Sequence, residues 1–83
     1  MSTTATETNH TTTYDGREAA ASRVVLKRAA RRMARGMAES PEDAMGDAFA
    51  AMNYTGRGTP LDNARKAYAT AGNLVDAVHL VLG

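Results

Sequence analysis

Cysteine is absent from the 83-residue chain, and aromatic residues make up only 5% of it. The lack of thiols excludes disulfide bonds and thiolate metal sites, and it is compatible with a reducing compartment. No basic segment followed by an apolar run opens the sequence, so no signal peptide is predicted. No apolar run approaches the roughly 18 residues that a membrane-spanning helix needs. We therefore expect a cytoplasmic protein that does not associate with membranes.

Large apolar side chains are also scarce, although hydrophobic residues amount to 43% of the chain. Much of that fraction is alanine, which lets helices approach closely but buries little area. A chain this short forms one domain, and a core of fewer than roughly 70–80 ordered residues rarely supplies more than about 3–5 kcal/mol. The sequence therefore predicts a thin core that a partner or a second copy would help to stabilise.

No catalytic or cofactor motif is present. Nucleophilic catalysis needs a base beside the nucleophile and a group that orients the base, and neither His10 nor His79 has such a setting in the sequence. Asp76 and His79 have a spacing that metal ligands use, but no second pair accompanies them. We interpret His79 as a core or interface residue. The sequence thus predicts neither an enzyme nor a bound cofactor or metal.

The N-terminal segment, residues 1–14, is polar, rich in threonine and without periodicity. Such a segment cannot bury enough apolar surface to offset its ordering entropy, so we predict that it is disordered. A helical domain is predicted for residues 15–83.

Three helix starts can be recognised from their capping residues. Asp15 and Glu18 form a capping box, which predicts a first helix from about Gly16 to Ala38. The segments SPED, which begins at Ser40, and TPLD, which begins at Thr59, each place a capping residue before proline and an acid in the first turn. Their similarity fits either a duplication or the common sequence pattern of helix starts.

The predicted fold is therefore an all-α, three-helix bundle. Gly72 and Asn73 interrupt the third helix, so we expect it to be kinked or broken there, with the segment NLVD capping a new start. The apolar stripe of this helix is predicted to include Tyr68, Val75 and His79.

The C-terminal segment is apolar on almost every side, which is typical of a helix buried on several sides. We predict a contact between copies of the chain, most simply a homodimer, through Leu74, Val78, Val81 and Leu82. The alternative is that the segment folds back at Gly72 and fills the core of its own chain.

Basic residues are concentrated in the first helix, although the net charge is only +1. Seven of the ten lie between Arg17 and Arg35. Those predicted to bind a partner are Lys27, Arg28, Arg31, Arg32 and Arg35, with Arg57 in the glycine-rich connector before the third helix. Arginine prefers planar, bidentate partners, which are carboxylates and phosphates. The cluster is a solvated face, a docking face for an acidic protein or nucleoprotein complex, or a nucleic-acid backbone contact.

We expect a non-catalytic, small helical binding protein that docks on a larger protein or nucleoprotein partner through this arginine-rich face. Its size and its arginine and alanine bias suit a phage or mobile-element accessory protein, including an inhibitor of a host complex. The alternative is a helix-turn-helix-like DNA-binding transcriptional regulator that uses Asn63, Arg65 and Lys66. Against it, the connector before Thr59 is longer than the usual turn of about 3–4 residues.

Overall fold

Four α-helices make up the part of the protein that the structure, a computed structural model, describes, which is residues 16–81. They are α1 (Gly16–Ala34), α2 (Pro41–Ala51), α3 (Thr59–Ala71) and α4 (Leu74–Leu80). No strand occurs within this range, so the all-α prediction is confirmed. The predicted disorder of residues 1–14 and the predicted cap Asp15 lie outside the described residues.

The third predicted helix is divided into α3 and α4. Gly72 adopts a left-handed conformation with φ 87°, and its N–H donates to the Tyr68 carbonyl at 2.8 Å, which ends α3. The Asn73 side-chain oxygen then accepts a hydrogen bond from the Asp76 N–H at 2.8 Å and caps α4. The predicted break is therefore confirmed, and the domain contains four helices instead of three.

The predicted end of α1 at Ala38 is wrong, because the helix ends at Ala34. Gly36 has φ 69°, a left-handed conformation that glycine adopts without steric cost. The Met37 N–H then reaches back to the Arg32 carbonyl at 2.8 Å, which is the closing bond of a Schellman motif. This turn redirects the chain just after the arginine-rich segment.

The two similar segments begin their helices differently. At α2 the Ser40 hydroxyl oxygen accepts the Asp43 N–H at 3.1 Å, as predicted. At α3 the predicted cap Thr59 is wrong: Gly58 is the N-cap residue, and no side chain caps the helix. Thr59 is already the first helical residue, and its hydroxyl makes no capping hydrogen bond to the first turn.

Replacing Ser40 by alanine should lower the free energy of unfolding by about 0.5–2 kcal/mol, because it removes a capping hydrogen bond. Thr59→Ala is the matched control. It should change the free energy of unfolding by less than about 0.5 kcal/mol, as expected where no specific contact is lost. Chemical denaturation of both variants measures the difference. Equal losses would mean that Thr59 caps α3 after all.

Helix α1 lies at the centre of the domain and packs against the other three helices. Its largest fully buried side chains are Val25 and Leu26, and Met45 of α2 joins them. Much of the remaining core is alanine, contributed by all four helices: Ala19, Ala29, Ala44, Ala48, Ala64 and Ala77. Small side chains let the helix axes approach closely, but they leave little apolar area to stabilise the fold.

Helix α4 contributes to this same core. Leu74 is buried, Val81 is 2% exposed, and the Arg23 guanidinium donates to the Val81 carbonyl at 3.1 Å. These two residues are thus used inside the chain instead of on a free surface, which favours the fold-back alternative over their predicted role between copies. Val78 is half-buried, and Leu82 lies outside the described residues.

Among the described residues, one polar side chain is buried with an unsatisfied hydrogen-bond donor. Asn63 of α3 is 6% exposed, and its side-chain nitrogen makes no hydrogen bond within the described residues. An unsatisfied buried donor costs about 1–3 kcal/mol. Its burial also removes Asn63 from the exposed face that a helix-turn-helix protein would present to DNA.

Asn63→Ala should therefore leave the stability unchanged or raise it by about 1 kcal/mol, because it removes the unsatisfied amide and favours the helix. Asn63→Asp, which introduces a charged side chain of the same size, should lower the stability. Thermal or urea denaturation distinguishes the two. A clear loss in the alanine variant would mean that the amide is hydrogen-bonded in solution.

Candidate protein-docking surface

Two of the arginines of α1 have structural roles. The Arg17 side chain donates to the Thr55 carbonyl at 3.1 Å and to its hydroxyl at 3.0 Å, and its guanidinium lies 5.1 Å from the Tyr54 ring centre. The Arg23 guanidinium holds the carbonyl of Val81. These contacts attach the α2–α3 connector and the end of α4 to α1, so neither arginine is free for a partner.

The other basic residues of α1 form a cluster with no partner of opposite charge. Within residues 16–81, their side chains make no ion pair or hydrogen bond. We call them the arginine cluster: Lys27, Arg28, Arg31, Arg32 and Arg35. All are exposed except Arg32, which is half-buried. Residues three and four apart are neighbours on a helix surface, so the positive charges lie side by side.

The cluster encloses a shallow cleft at the C-terminal end of α1. Arg28, Arg31, Arg32, Arg35 and Met37 line this depression of about 260 Å³. Met37 borders it because the turn at Gly36 redirects the chain, and its side chain is 56% exposed. Several guanidinium groups around one cleft can hold carboxylates in bidentate pairs.

A second, more apolar groove lies between α1 and α4 and has a volume of about 420 Å³. Ala30, Val75 and Val78 form its apolar part, and its polar lining residues are Lys27, Arg31 and His79. Arg31 lines both this groove and the arginine cleft, so the two form one surface.

Sequence reasoning missed the groove because it placed Val75 and His79 on a buried stripe. Val75 is 63% exposed and His79 is exposed. The stripe was continued from α3, but the break at Gly72 and the new cap at Asn73 rotate α4 to a different orientation. The residues that α4 buries are Leu74 and Ala77. The NLVD capping pattern was the signal that could have found this change.

Arg57, the sixth residue predicted to bind a partner, does not join the cluster. It is exposed in the α2–α3 connector, two residues after Thr55, which is bonded to Arg17. Arg17 and Arg31 are separated by 14 helical residues, or about 21 Å along α1 at about 1.5 Å per residue. The structure thus places Arg57 near the opposite end of α1.

Within residues 16–81, no three histidine, aspartate or glutamate side chains are grouped so as to hold a metal ion. None of the described helices combines the length and apolar character needed to cross a membrane. Comparison with models of protein families, with curated proteins and with solved structures gave no match. The arginine cluster and the adjoining groove are therefore the features from which a function can be inferred.

Proposed function

We propose that this chain is a non-catalytic binding protein that docks, through the arginine cluster, on an acidic surface of a larger protein or nucleoprotein complex. The observation that supports the proposal is the gathering of five basic side chains that have no carboxylate partner among the described residues. Arg17 and Arg23 provide the contrast, because each makes hydrogen bonds that stabilise the domain.

The repulsion between the positive charges of the cluster lowers the stability of α1, which argues against a merely solvated face. Like charges four residues apart on a helix destabilise it by about 0.2–0.5 kcal/mol per pair. Lys27 with Arg31, Arg28 with Arg32, and Arg31 with Arg35 have this spacing. Solubility alone would be served as well by charges of mixed sign. A binding partner rich in carboxylates offsets this repulsion when it docks.

Within this proposal, the small size and the arginine and alanine bias suit a phage or mobile-element accessory protein that inhibits or modifies a host complex. A short chain of this kind acts by occupying a surface. The thin core of the free domain fits such a role, because binding to the folded state adds to its stability.

DNA-binding regulation is the second candidate, supported by the exposed Arg65 and Lys66 in the middle of α3. Two observations weigh against it. The connector between α2 and α3 spans residues 52–58, longer than the turn of about 3–4 residues in the DNA-binding motif. Asn63, the third residue of that hypothesis, is buried.

Affinity capture from a candidate host lysate tests the proposal, with mass spectrometry to identify what is bound. The expected result is a stoichiometric protein partner that is retained after nuclease treatment. Because ion pairs between arginine and carboxylate are also screened by salt, retention should decline as the salt concentration rises, but less steeply than nucleic-acid binding, which falls log-linearly and steeply. Loss of all bound material after nuclease would favour the DNA-binding alternative, and no specific partner at low salt would contradict the proposal.

A further inference from the structure

Exposed apolar side chains accompany the arginine cluster. Among residues 16–81, the large hydrophobic side chains that stand out as exposed are Met37 and Val75. Met37 borders the arginine cleft and Val75 lines the adjoining groove. Single exposed apolar residues are ordinary, but apolar surface rimmed by polar residues marks interaction sites. Their shared location points to one binding surface with both apolar and cationic parts.

The groove has an apolar lining that suits the side chains of a partner. It runs between α1 and α4, with Ala30 contributed by one helix and Val75 and Val78 by the other. Ala30 is small, which leaves space for an incoming side chain between the two helices. An amphipathic helix binds such grooves with apolar residues spaced three and four apart. The volume of about 420 Å³ is enough for a few apolar side chains and not for a whole folded surface.

Charge complementarity identifies the occupant. Lys27 and Arg31 line the groove and have no carboxylate partner among the described residues, while Arg28 and Arg35 extend the positive charge along α1. Carboxylates that flank an apolar stripe would meet these groups. A phosphate backbone has nothing to place on the apolar residues of the groove, and a concave site offers little apolar area to a bilayer.

We propose that the groove between α1 and α4 binds an acidic amphipathic helix of the partner protein. The apolar stripe of that helix lies against Ala30, Val75 and Val78, and its acidic flank pairs with Lys27 and Arg31. This inference rests on the proposed function, since it gives the chemistry of the partner segment that docks there.

A direct binding measurement with defined probes tests the inference. The main probe is a fluorescently labelled, 18-residue helical peptide with leucines spaced three and four apart and glutamates on both flanks. Fluorescence anisotropy should give saturable binding. A peptide of the same composition with the leucine spacing scrambled should bind at least about tenfold more weakly, which corresponds to about 1.4 kcal/mol, because it loses at least one well-packed anchor.

Val75→Asp is the decisive variant, because Val75 is exposed and its replacement leaves the core intact. Affinity for the periodic peptide should fall about tenfold or more, while circular dichroism and the denaturation midpoint stay near those of the wild type. Ala69→Asp, which adds the same charge at an exposed position of α3, is the matched control and should bind as the wild type does.

Several outcomes would overturn the inference. Equal affinity for the periodic and scrambled peptides would mean that charge alone drives binding. An unchanged affinity in Val75→Asp would mean that the peptide does not occupy the groove. Tighter binding to duplex DNA or to vesicles with anionic lipids, weakened by Val75→Asp, would assign the groove to another class of partner. No binding of the periodic peptide up to about 1 mM, which corresponds to about −4 kcal/mol, would also contradict it. The lysate capture tests the docking function independently of these outcomes.

Discussion

Val81→Asp is expected to leave the domain largely unfolded under conditions in which the wild type is folded. Val81 is 2% exposed and belongs to the same core cluster as Leu26 and Leu74. The substitution removes the burial of a valine, worth about 1.5–3 kcal/mol, and places a charged side chain among the apolar residues of the core. A domain of this size, with a core that supplies about 3–5 kcal/mol, has little stability to spare.

Val75→Asp is the matched control, because it makes the same chemical change on the same helix at a position that is 63% exposed. It should retain the helicity of the wild type, and an acid in the first turn of α4 also suits the helix dipole. Circular dichroism and urea denaturation of the pair measure the contrast. Similar stabilities for the two variants would mean that α4 does not pack on α1 and α3 in solution.

This contrast also bears on the oligomeric state. A homodimer through Leu74, Val78, Val81 and Leu82 was predicted because the segment is apolar on almost every side. Since Leu74 and Val81 are buried within one chain, we now expect a monomeric mass in light scattering at micromolar concentration. Loss of a dimer in Val81→Asp alone would not establish an interface, because that variant also disrupts the core.

Helix starts were predicted well where a side chain makes the cap. The hydrogen bonds of Ser40 to Asp43 and of Asn73 to Asp76 involve neighbours in sequence, so the local pattern is sufficient to predict them. Thr59 has the same pattern as Ser40 but lies one position further into its helix. That shift depends on the conformation of Gly58, and a capping pattern alone does not specify it.

Helix ends and helix orientations were predicted less well. The end of α1 follows from the left-handed conformation of Gly36, which the apolar spacing that predicts a helix to Ala38 does not reveal. Val75 and His79 were assigned to a buried stripe because the helical wheel was continued through Gly72. A wheel is valid only within one uninterrupted helix, so each break requires the buried face to be determined again.

The two parts of the candidate site also differ in how far the sequence predicts them. The arginine cluster follows from residue spacing on a single helix and could be predicted from the sequence. The groove could not, because it depends on how α4 packs against α1. The separation of Arg57 from the cluster likewise depends on the hydrogen bond between Arg17 and Thr55. This bond joins two residues that are 38 positions apart in the sequence.

Charge reversal within the arginine cluster should abolish partner binding. In the variant that combines Arg28→Glu, Arg31→Glu and Arg35→Glu, three exposed cations of the cluster become anions, so an acidic partner meets repulsion in place of ion pairs. The matched control, Arg57→Glu with Arg65→Glu and Lys66→Glu, makes the same change in net charge at exposed positions outside the cluster. Capture of the protein partner should be lost in the first variant and retained in the second.

A companion variant separates binding from folding. Replacing Arg28, Arg31 and Arg35 by glutamine removes the repulsion between neighbouring cations without adding acids near the C-terminal end of α1, where they oppose the helix dipole. The replacement also removes the favourable interaction of Arg31 and Arg35 with the negative end of the α1 dipole, so the two effects offset each other. We therefore expect the glutamine variant to be about as stable as the wild type in denaturation and still to lose the partner. Unchanged stability together with a loss of binding is the behaviour of surface residues that act in docking and not in folding. Full capture by the glutamine variant, or equal losses in the two charge-reversal variants, would show that the cluster does not determine docking.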